Sequence, residues 1–255
     1  LEIERLRIVF ESKSNTVSAV EDVSLHVRPR QIVALIGESG SGKSVTAQAI
    51  VGLLDRGGRI DGGSLRLAGY DLAGCNAKQL RQLRGREAAM IFQDPLHALN
   101  PLLTIGHQLV ETIRRHHRQT SRRERRAHAM ELMARVGLEE SQRVYESYPF
   151  ELSGGMCQRV MIALALASRA RLLIADEPTT ALDTLVQAQI LRELSRLRRE
   201  DGLAILLITH DIGVVAELAD YVYVMKTGRI VESGEVHRIF RSATHPYTRE
   251  LLSSR

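Results

Sequence analysis

Eight consecutive residues, Gly37-Glu38-Ser39-Gly40-Ser41-Gly42-Lys43-Ser44, have the composition of a phosphate cradle. Glycines at 37, 40 and 42 let the chain curl with its N–H groups inward, and no Cβ obstructs an anion. Lys43 brings a full positive charge to the β/γ-phosphates of a nucleoside triphosphate, and the Ser44 hydroxyl is a ligand for Mg²⁺. The β-branched run Ile32–Ile36 precedes the loop and reads as a strand. Val45–Val51 follows and reads as a helix whose N-terminus adds partial positive charge. The loop and Val45 are therefore the expected nucleotide contacts. A flexible turn before a helix is the alternative, and the strand–loop–helix order argues against it.

Three other places carry chemistry. Leu172-Leu173-Ile174-Ala175-Asp176-Glu177-Pro178 reads as a buried strand ending in two acids, where α/β sheets place their reactions. Asp176 is suited to holding Mg²⁺ through water, and Glu177 to polarising an attacking water. Ala204–Thr209 is a second buried strand. It ends in His210-Asp211, and a histidine at that sheet edge is a candidate γ-phosphate sensor. Leu152-Ser153-Gly154-Gly155-Met156 opens an Ala/Leu/Met-rich helix pattern over Cys157–Ser168. Ser153 can cap that helix, and Gly154 and Gly155 keep its N-terminus bare, giving a second phosphate-ready terminus. Ordinary caps look the same. Phe10, far upstream, is either core or an adenine stacking platform.

The elements that must position these groups follow an α/β pattern. Residues 1–27 read as strands around a polar turn at Ser12–Asn15. Arg56–Gly63 is a turn-rich break, Ser64–Ala68 a short strand, residues 76–86 a polar and basic stretch, and Ala88–Phe92 a buried strand that stops at Gln93-Asp94-Pro95. Residues 104–137 read as helical: Ile105, Leu109 and Ile113 recur at spacing four. Ser121-Arg122-Arg123-Glu124 has capping-box spacing, so a second helix starts there, carries Met130, Met133 and Val136 inward and stops at Gly137. This all-helical block, roughly residues 94–170, reads as an inserted subdomain. Thr184–Arg199 is an amphipathic helix, Lys226-Thr227-Gly228-Arg229 a hairpin turn, and Val236–Phe240 a short helix.

Composition sets bounds. With 255 residues and 44% hydrophobic content the chain can bury a core, which excludes wholesale disorder. No apolar run reaches the ~18 residues of a membrane span, and the start lacks a signal-peptide pattern. With Leu1 in place of Met, the expectation is that the first residues are missing. Cys75 and Cys157 form no metal or disulfide spacing, which fits a reducing cytosol. The net charge of +5 concentrates at Arg114, Arg115, Arg118, Arg122, Arg123, Arg125 and Arg126. A nucleic-acid patch, an anionic lipid contact and a solvated helix face are all open readings, but no aromatics interleave for base stacking.

Together these motifs resemble the ATP-binding subunit of an ABC transporter over nearly the whole chain. Gly37–Ser44 is similar to Walker A, Leu172–Asp176 with Glu177 to Walker B and its catalytic glutamate, Leu152–Met156 to the signature, and His210 to the switch histidine. Gln93 resembles the Q-loop glutamine, a Mg²⁺ ligand. Ala181-Leu182-Asp183 resembles the D-loop, and Phe10 the A-loop aromatic. The resemblance implies an α/β fold with a RecA-like core (1–93 and 171–255), an N-terminal antiparallel β subdomain and the helical insert (94–170). It implies ATP and Mg²⁺ as cofactors, with Asp183 among the nucleotide-binding residues, and a head-to-tail pair of cassettes in which each site takes Walker A, Walker B and His210 from one subunit and the signature from the other. The partner is a second copy or a homologous ATPase. Two permease subunits and, indirectly, a solute-binding protein complete the set. The place implied is the cytoplasmic face of a bacterial plasma membrane, peripherally, and no nucleic acid is expected.

Finer features resemble the peptide/nickel importer branch: Leu-Ser-Gly-Gly-Met, Leu99-Asn100-Pro101, Val186–Leu191 and His245-Pro246-Tyr247-Thr248-Arg249. Tyr148–Glu151, Ala216–Asp220 and the absence of a cysteine-rich extension resemble its nickel-importing members more, which puts nickel or a metal chelate slightly ahead of dipeptide. Met156 and Cys157 depart from the commonest signature, yet its serine and glycines are intact, so hydrolysis and closure are expected to survive. The rival class is a soluble ABC-type ATPase acting on nucleic acid or ribosomes; tandem cassettes or a coiled-coil insertion would mark it, and neither is present. A P-loop kinase would leave Leu152–Met156 and His210 unexplained.

Overall fold

The computed structural model describes residues 1–12, 15–117, 119–179 and 182–253. Lys13 and Ser14 of the expected turn, Arg118 and Ala181 lie outside the described residues. In chain order the elements are β1 (Glu2–Glu11), β2 (Thr16–His26), β3 (Ile32–Ile36), α1 (Lys43–Ile50), β4 (Gly58–Leu67), β5 (Tyr70–Asp71), α2 (Ala77–Leu83) and β6 (Ala88–Ile91). A helical stretch follows: α3 (Pro95–Ala98), α4 (Ile105–His116), α5 (Arg122–Arg135), α6 (Ser141–Glu146) and, after a short 3₁₀ turn, α7 (Gly154–Leu166). The chain then alternates through β7 (Leu172–Asp176), α8 (Thr184–Glu200), β8 (Ala204–Ile208) and α9 (Ile212–Leu218). It ends with β9 (Tyr221–Lys226), β10 (Arg229–Glu235), α10 (Val236–Ser242) and α11 (Pro246–Ser253).

Two sheets form. The first has the order β2-β1-β4-β5 and is antiparallel; the second has the order β10-β9-β3-β8-β7-β6. Its inner strands β3, β7 and β8 are parallel and buried along their whole length, as continuous apolar runs in a covered sheet must be. Alternate residues go to opposite faces. Ala89, Ile91, Leu173, Ala175, Ile205 and Leu207 share a core with α4, α5, α7 and α8. Ala88, Leu172, Ile174, Ala204, Leu206 and Ile208 share another with the antiparallel sheet and α1. The helices between β6 and β7 thus rest on the sheet's own face. The sheet edge formed by the C-terminal ends of β3, β7 and β8 is where the loop, the two acids and His210 emerge.

Most of the longer elements match the sequence pattern, and the main differences are these. The strand expected at Ser64–Ala68 begins at Gly58, inside the stretch read as a break. There β1 lies alongside as a pairing partner, matching Phe10 with Gly58, Ile8 with Ile60 and Ile3 with Leu65, and this outweighs the poor strand propensity of Gly58, Gly62 and Gly63. The polar stretch 76–86 contains α2, started by a reciprocal cap in which Asn76 Oδ1 accepts from Gln79 N–H and Gln79 Oε1 from Asn76 N–H. The tail beyond Pro246 is helical as α11. The turn between β9 and β10 has positive φ at both Thr227 and Gly228, as a two-residue hairpin loop requires.

Candidate active site

The loop leaves β3 at Gly37 and enters α1 at Lys43. Two of its glycines are forced by close approach. A Cβ on Gly37 would lie 2.1 Å from Met225 O, and one on Gly42, whose φ is +103°, 2.6 Å from Ala19 O. Lys43 is only 7% exposed. Its ammonium donates to Gly37 O at 2.9 Å, Glu38 O at 2.7 Å and Ser41 Oγ at 3.3 Å, so the loop is wound around it. Burial pushes the Lys43 pKa below its ordinary value, against the pull of Glu177, Asp176 and Glu38. Glu38, Ser39 and Gly40 are exposed, and among the described residues nothing lies within 4 Å of a Cβ built on Gly40.

Asp176 ends β7 at 3% exposure. Burial raises its pKa, a hydrogen bond from Ser44 opposes that, and the neighbouring Glu177 raises it again. Its Oδ1 is buried without a hydrogen-bond partner among the described residues. A desolvated oxygen of this kind is costly unless something binds it. Beside the Ser44 hydroxyl it suits a hard cation that takes few protein oxygens and keeps water and substrate phosphates. Mg²⁺ fits these residues.

Glu177 follows with φ +49°, a left-handed backbone that costs a non-glycine residue roughly 1–2 kcal/mol. Its N–H donates to Ile208 O at 2.8 Å, which ties the turn to β8. The bend delivers its carboxylate between two other predicted groups. Gln93 Nε2 donates to Oε2 at 3.3 Å, and His210 Nδ1 lies 3.2 Å from Oε1. Gln93, Glu177 and His210 are far apart in sequence and meet here because β6, β7 and β8 run parallel and in that order.

The other predicted residues take the following places. Ser153 caps α7, its Oγ accepting from Met156 N–H at 3.3 Å, and it is exposed together with Gly154. Asp183 is exposed and caps α8 by accepting from Val186 N–H at 3.0 Å. Phe10 is half-buried with its ring against Gly58, where a Cβ would meet its Cε1 at 2.7 Å. Val45 is half-buried on α1. Two contacts escaped the sequence reading. Gln158, 1% exposed on α7, donates from Nε2 to Pro178 O at 3.0 Å, so the helix behind the Ser-Gly-Gly turn grips the turn that carries Glu177. A glutamine in a largely apolar helix just behind the Ser-Gly-Gly turn was the available signal. Tyr247, on α11, accepts from the N–H of Glu38 at 2.9 Å.

A glycine loop wound around a buried lysine, beside a strand-end acid on a parallel sheet, defines a P-loop nucleoside triphosphatase. The family model for ABC transporters matches residues 20–180. A putative peptide import ATP-binding protein of Brucella abortus (strain 2308) is 51% identical over 260 residues, covering 100% of this chain and 77% of that protein. One of Brucella suis biovar 1 (strain 1330) is 48% identical over 254 residues, covering 100% and 76%. A solved dimeric ATP-binding cassette in a post-hydrolysis state, bound to ADP and Pi, superposes with a TM-score of 0.84 at 29% identity, covering 92% of this chain and 98% of that one. The chain belongs to the ABC transporter family. It is an ATP-binding cassette that hydrolyses ATP, with Mg²⁺ as the partner ion.

Proposed function

We propose that this chain energises the uptake of short peptides as one of two ATPase subunits on the cytoplasmic face of a bacterial membrane. It docks there peripherally on two permease subunits served by a solute-binding protein. No helix among the described residues is long and apolar enough to cross a membrane. Residues 1–93 and 171–255 act as the nucleotide-binding core and 94–170 as the part that presents the signature.

The observation that carries this reading is the Glu177 carboxylate held between Gln93 and His210 at the rim of the Lys43 loop. ATP lies with its phosphates along Gly37–Ser44 and its adenine toward Phe10. Ser44, Gln93 and Asp176 hold Mg²⁺, which when bound neutralises charge on the phosphate oxygens. Glu177 takes the proton of the attacking water, and His210 orients that carboxylate and contacts the γ-phosphate. Exposed Ser153 and Gly154, with Gly155 behind them, leave their helix N-terminus free to close over the nucleotide of a partner cassette, with Asp183 at the joint. Gln93, bonded to Glu177, reports nucleotide occupancy toward the permeases.

Peptide is the cargo that the names of the two Brucella relatives support. Nickel or a metal chelate is the second reading, favoured by Tyr148–Glu151 and Ala216–Asp220. Uptake of a labelled dipeptide and of labelled nickel in cells lacking this subunit decides between them. Loss of dipeptide uptake alone is the expected result. Loss of nickel uptake alone supports the second reading, and no change in either refutes both.

A further inference from the structure

The segment His245-Pro246-Tyr247-Thr248-Arg249 plays no part in the chemistry above, yet it reaches the phosphate loop. We infer that Tyr247 is a positioning residue for ATP: its hydroxyl, carried by the C-terminal helix, fixes the peptide plane that forms one wall of the Lys43 cage. The inference rests on Gly37–Ser44 being the phosphate loop.

The geometry is specific. The peptide unit joining Gly37 to Glu38 is planar, and its C=O and N–H point to opposite sides. On one side Gly37 O accepts from the Lys43 ammonium at 2.9 Å; on the other, Glu38 N–H donates to Tyr247 Oη at 2.9 Å. Holding the N–H therefore holds the carbonyl that orients the lysine. A loop rich in glycine loses more conformational freedom than most when it is ordered, so a fixed peptide at its start lowers the entropy lost on binding phosphate.

Tyr247 is itself held on every side. It is 3% exposed and packs with Ile36, Val224, Val236 and Ile239. Lys226 Nζ sits 4.3 Å from its ring centroid, a cation–π contact from the last residue of β9. Its N–H donates to His245 Nδ1 at 3.2 Å. Just before it, Glu232 of β10 clamps the chain: Oε1 accepts from Thr244 N–H at 2.7 Å and Thr244 Oγ1 at 2.8 Å, and Oε2 from His245 N–H at 3.1 Å. The β9–β10 turn also braces the loop, where Gly228 N–H donates to Ser41 O at 2.9 Å. The tail is thus a strap, buckled at Glu232, whose end is a hydroxyl on the phosphate loop.

The test compares equilibrium ATP affinity, with Mg²⁺ in excess, for the full chain and three variants. Tyr247→Phe keeps the ring over Lys226 and removes only the acceptor for Glu38 N–H. Weakening of ATP binding by about threefold to tenfold is expected from the loss of one hydrogen bond. Ile239→Val loosens the same apolar cluster without touching Glu38, and its affinity should stay within about twofold of wild type, as its loss is of packing alone. An unchanged affinity in Tyr247→Phe, or an equal loss in Ile239→Val, overturns the assignment. Lys43→Ala separates this from the loop reading. If Lys43→Ala abolishes binding while Tyr247→Phe is silent, only the role of Tyr247 falls. If Lys43→Ala binds ATP like wild type, the phosphate loop itself is misassigned.

Discussion

Replacing Asp176 by Asn should make the nucleotide-free chain more stable and its response to Mg²⁺ weaker. Asp176 is 3% exposed, and Oδ1 has no hydrogen-bond partner among the described residues. Burial raises its pKa in the folded chain. A carboxyl whose folded pKa lies above its unfolded value destabilises the fold at neutral pH. That penalty disappears as pH falls through the folded pKa toward the ordinary carboxylate value. Asn keeps the shape and a carbonyl to accept from Ser44 but removes the charge. A buried unmet acceptor costs about 1–3 kcal/mol, and the amide brings unmet donors of its own, so a net gain of about 1 kcal/mol is expected. For a chain of this size that is a rise in melting midpoint of about 2–4 °C. The wild type should gain further from Mg²⁺ added to ATP, since saturation a hundredfold above Kd adds about 2.7 kcal/mol. In the variant the Mg²⁺-dependent part of that gain should shrink, since Ser44 and Gln93 remain. Thermal melts of both proteins, without nucleotide, with ATP plus chelator and with ATP plus Mg²⁺, measure every midpoint. A variant that melts below wild type without nucleotide, or that gains as much from Mg²⁺, would refute the reasoning.

A Cβ placed on Gly154 meets nothing within 4 Å among the described residues, and the residue is exposed at the start of α7, so a side chain there projects from an exposed position without a Cβ clash. Gly154→Trp should leave the fold and single-chain ATP affinity intact while turnover in the assembled transporter drops at least about tenfold, the effect of about 1.4 kcal/mol on the barrier; equal turnover would show that the signature does not close on a partner. Glu232 has a pKa of about 2, lowered from 4.5: burial pushes it up, and the bonds from Thr244 and His245 outweigh that. Because the folded value is depressed, its contribution is fully present above pH 4.5 and is lost as pH falls toward 2. Glu232→Gln should therefore flatten the acid side of the melting-midpoint profile over that window, and an unchanged slope would contradict the clamp.

Much of the candidate site could be read from the sequence because its chemistry is local. Phosphate needs bare backbone and a lysine within a few residues, and a strand-end acid needs only the strand before it. The long-range pairings were not legible. Nothing in Arg56–Gly63 announces that β1 lies alongside to receive its backbone bonds, so a strand was read as a break. Tyr247 and Glu38 are separated by nearly the whole chain, and only the packed fold brings a tail hydroxyl to a loop amide. Gln158 under Pro178 is of the same kind. The meeting of Gln93, Glu177 and His210 lay between these cases: Glu177 and His210 were picked out by their places at strand ends and Gln93 by its resemblance to the Q-loop glutamine, and their contact followed from strand order, which the sequence pattern does not contain.

On the proposed reading, Glu177 is the base that activates water while the loop around Lys43 holds ATP. Glu177→Gln preserves the shape and both neighbours but cannot take the proton. Measured together on the purified variant, ATP affinity should stay within about threefold of wild type, the scale of one exchanged hydrogen bond. Phosphate release should fall by at least about a hundredfold, at the low end of what a general base contributes. Turnover near the wild-type rate in Glu177→Gln would contradict the claim.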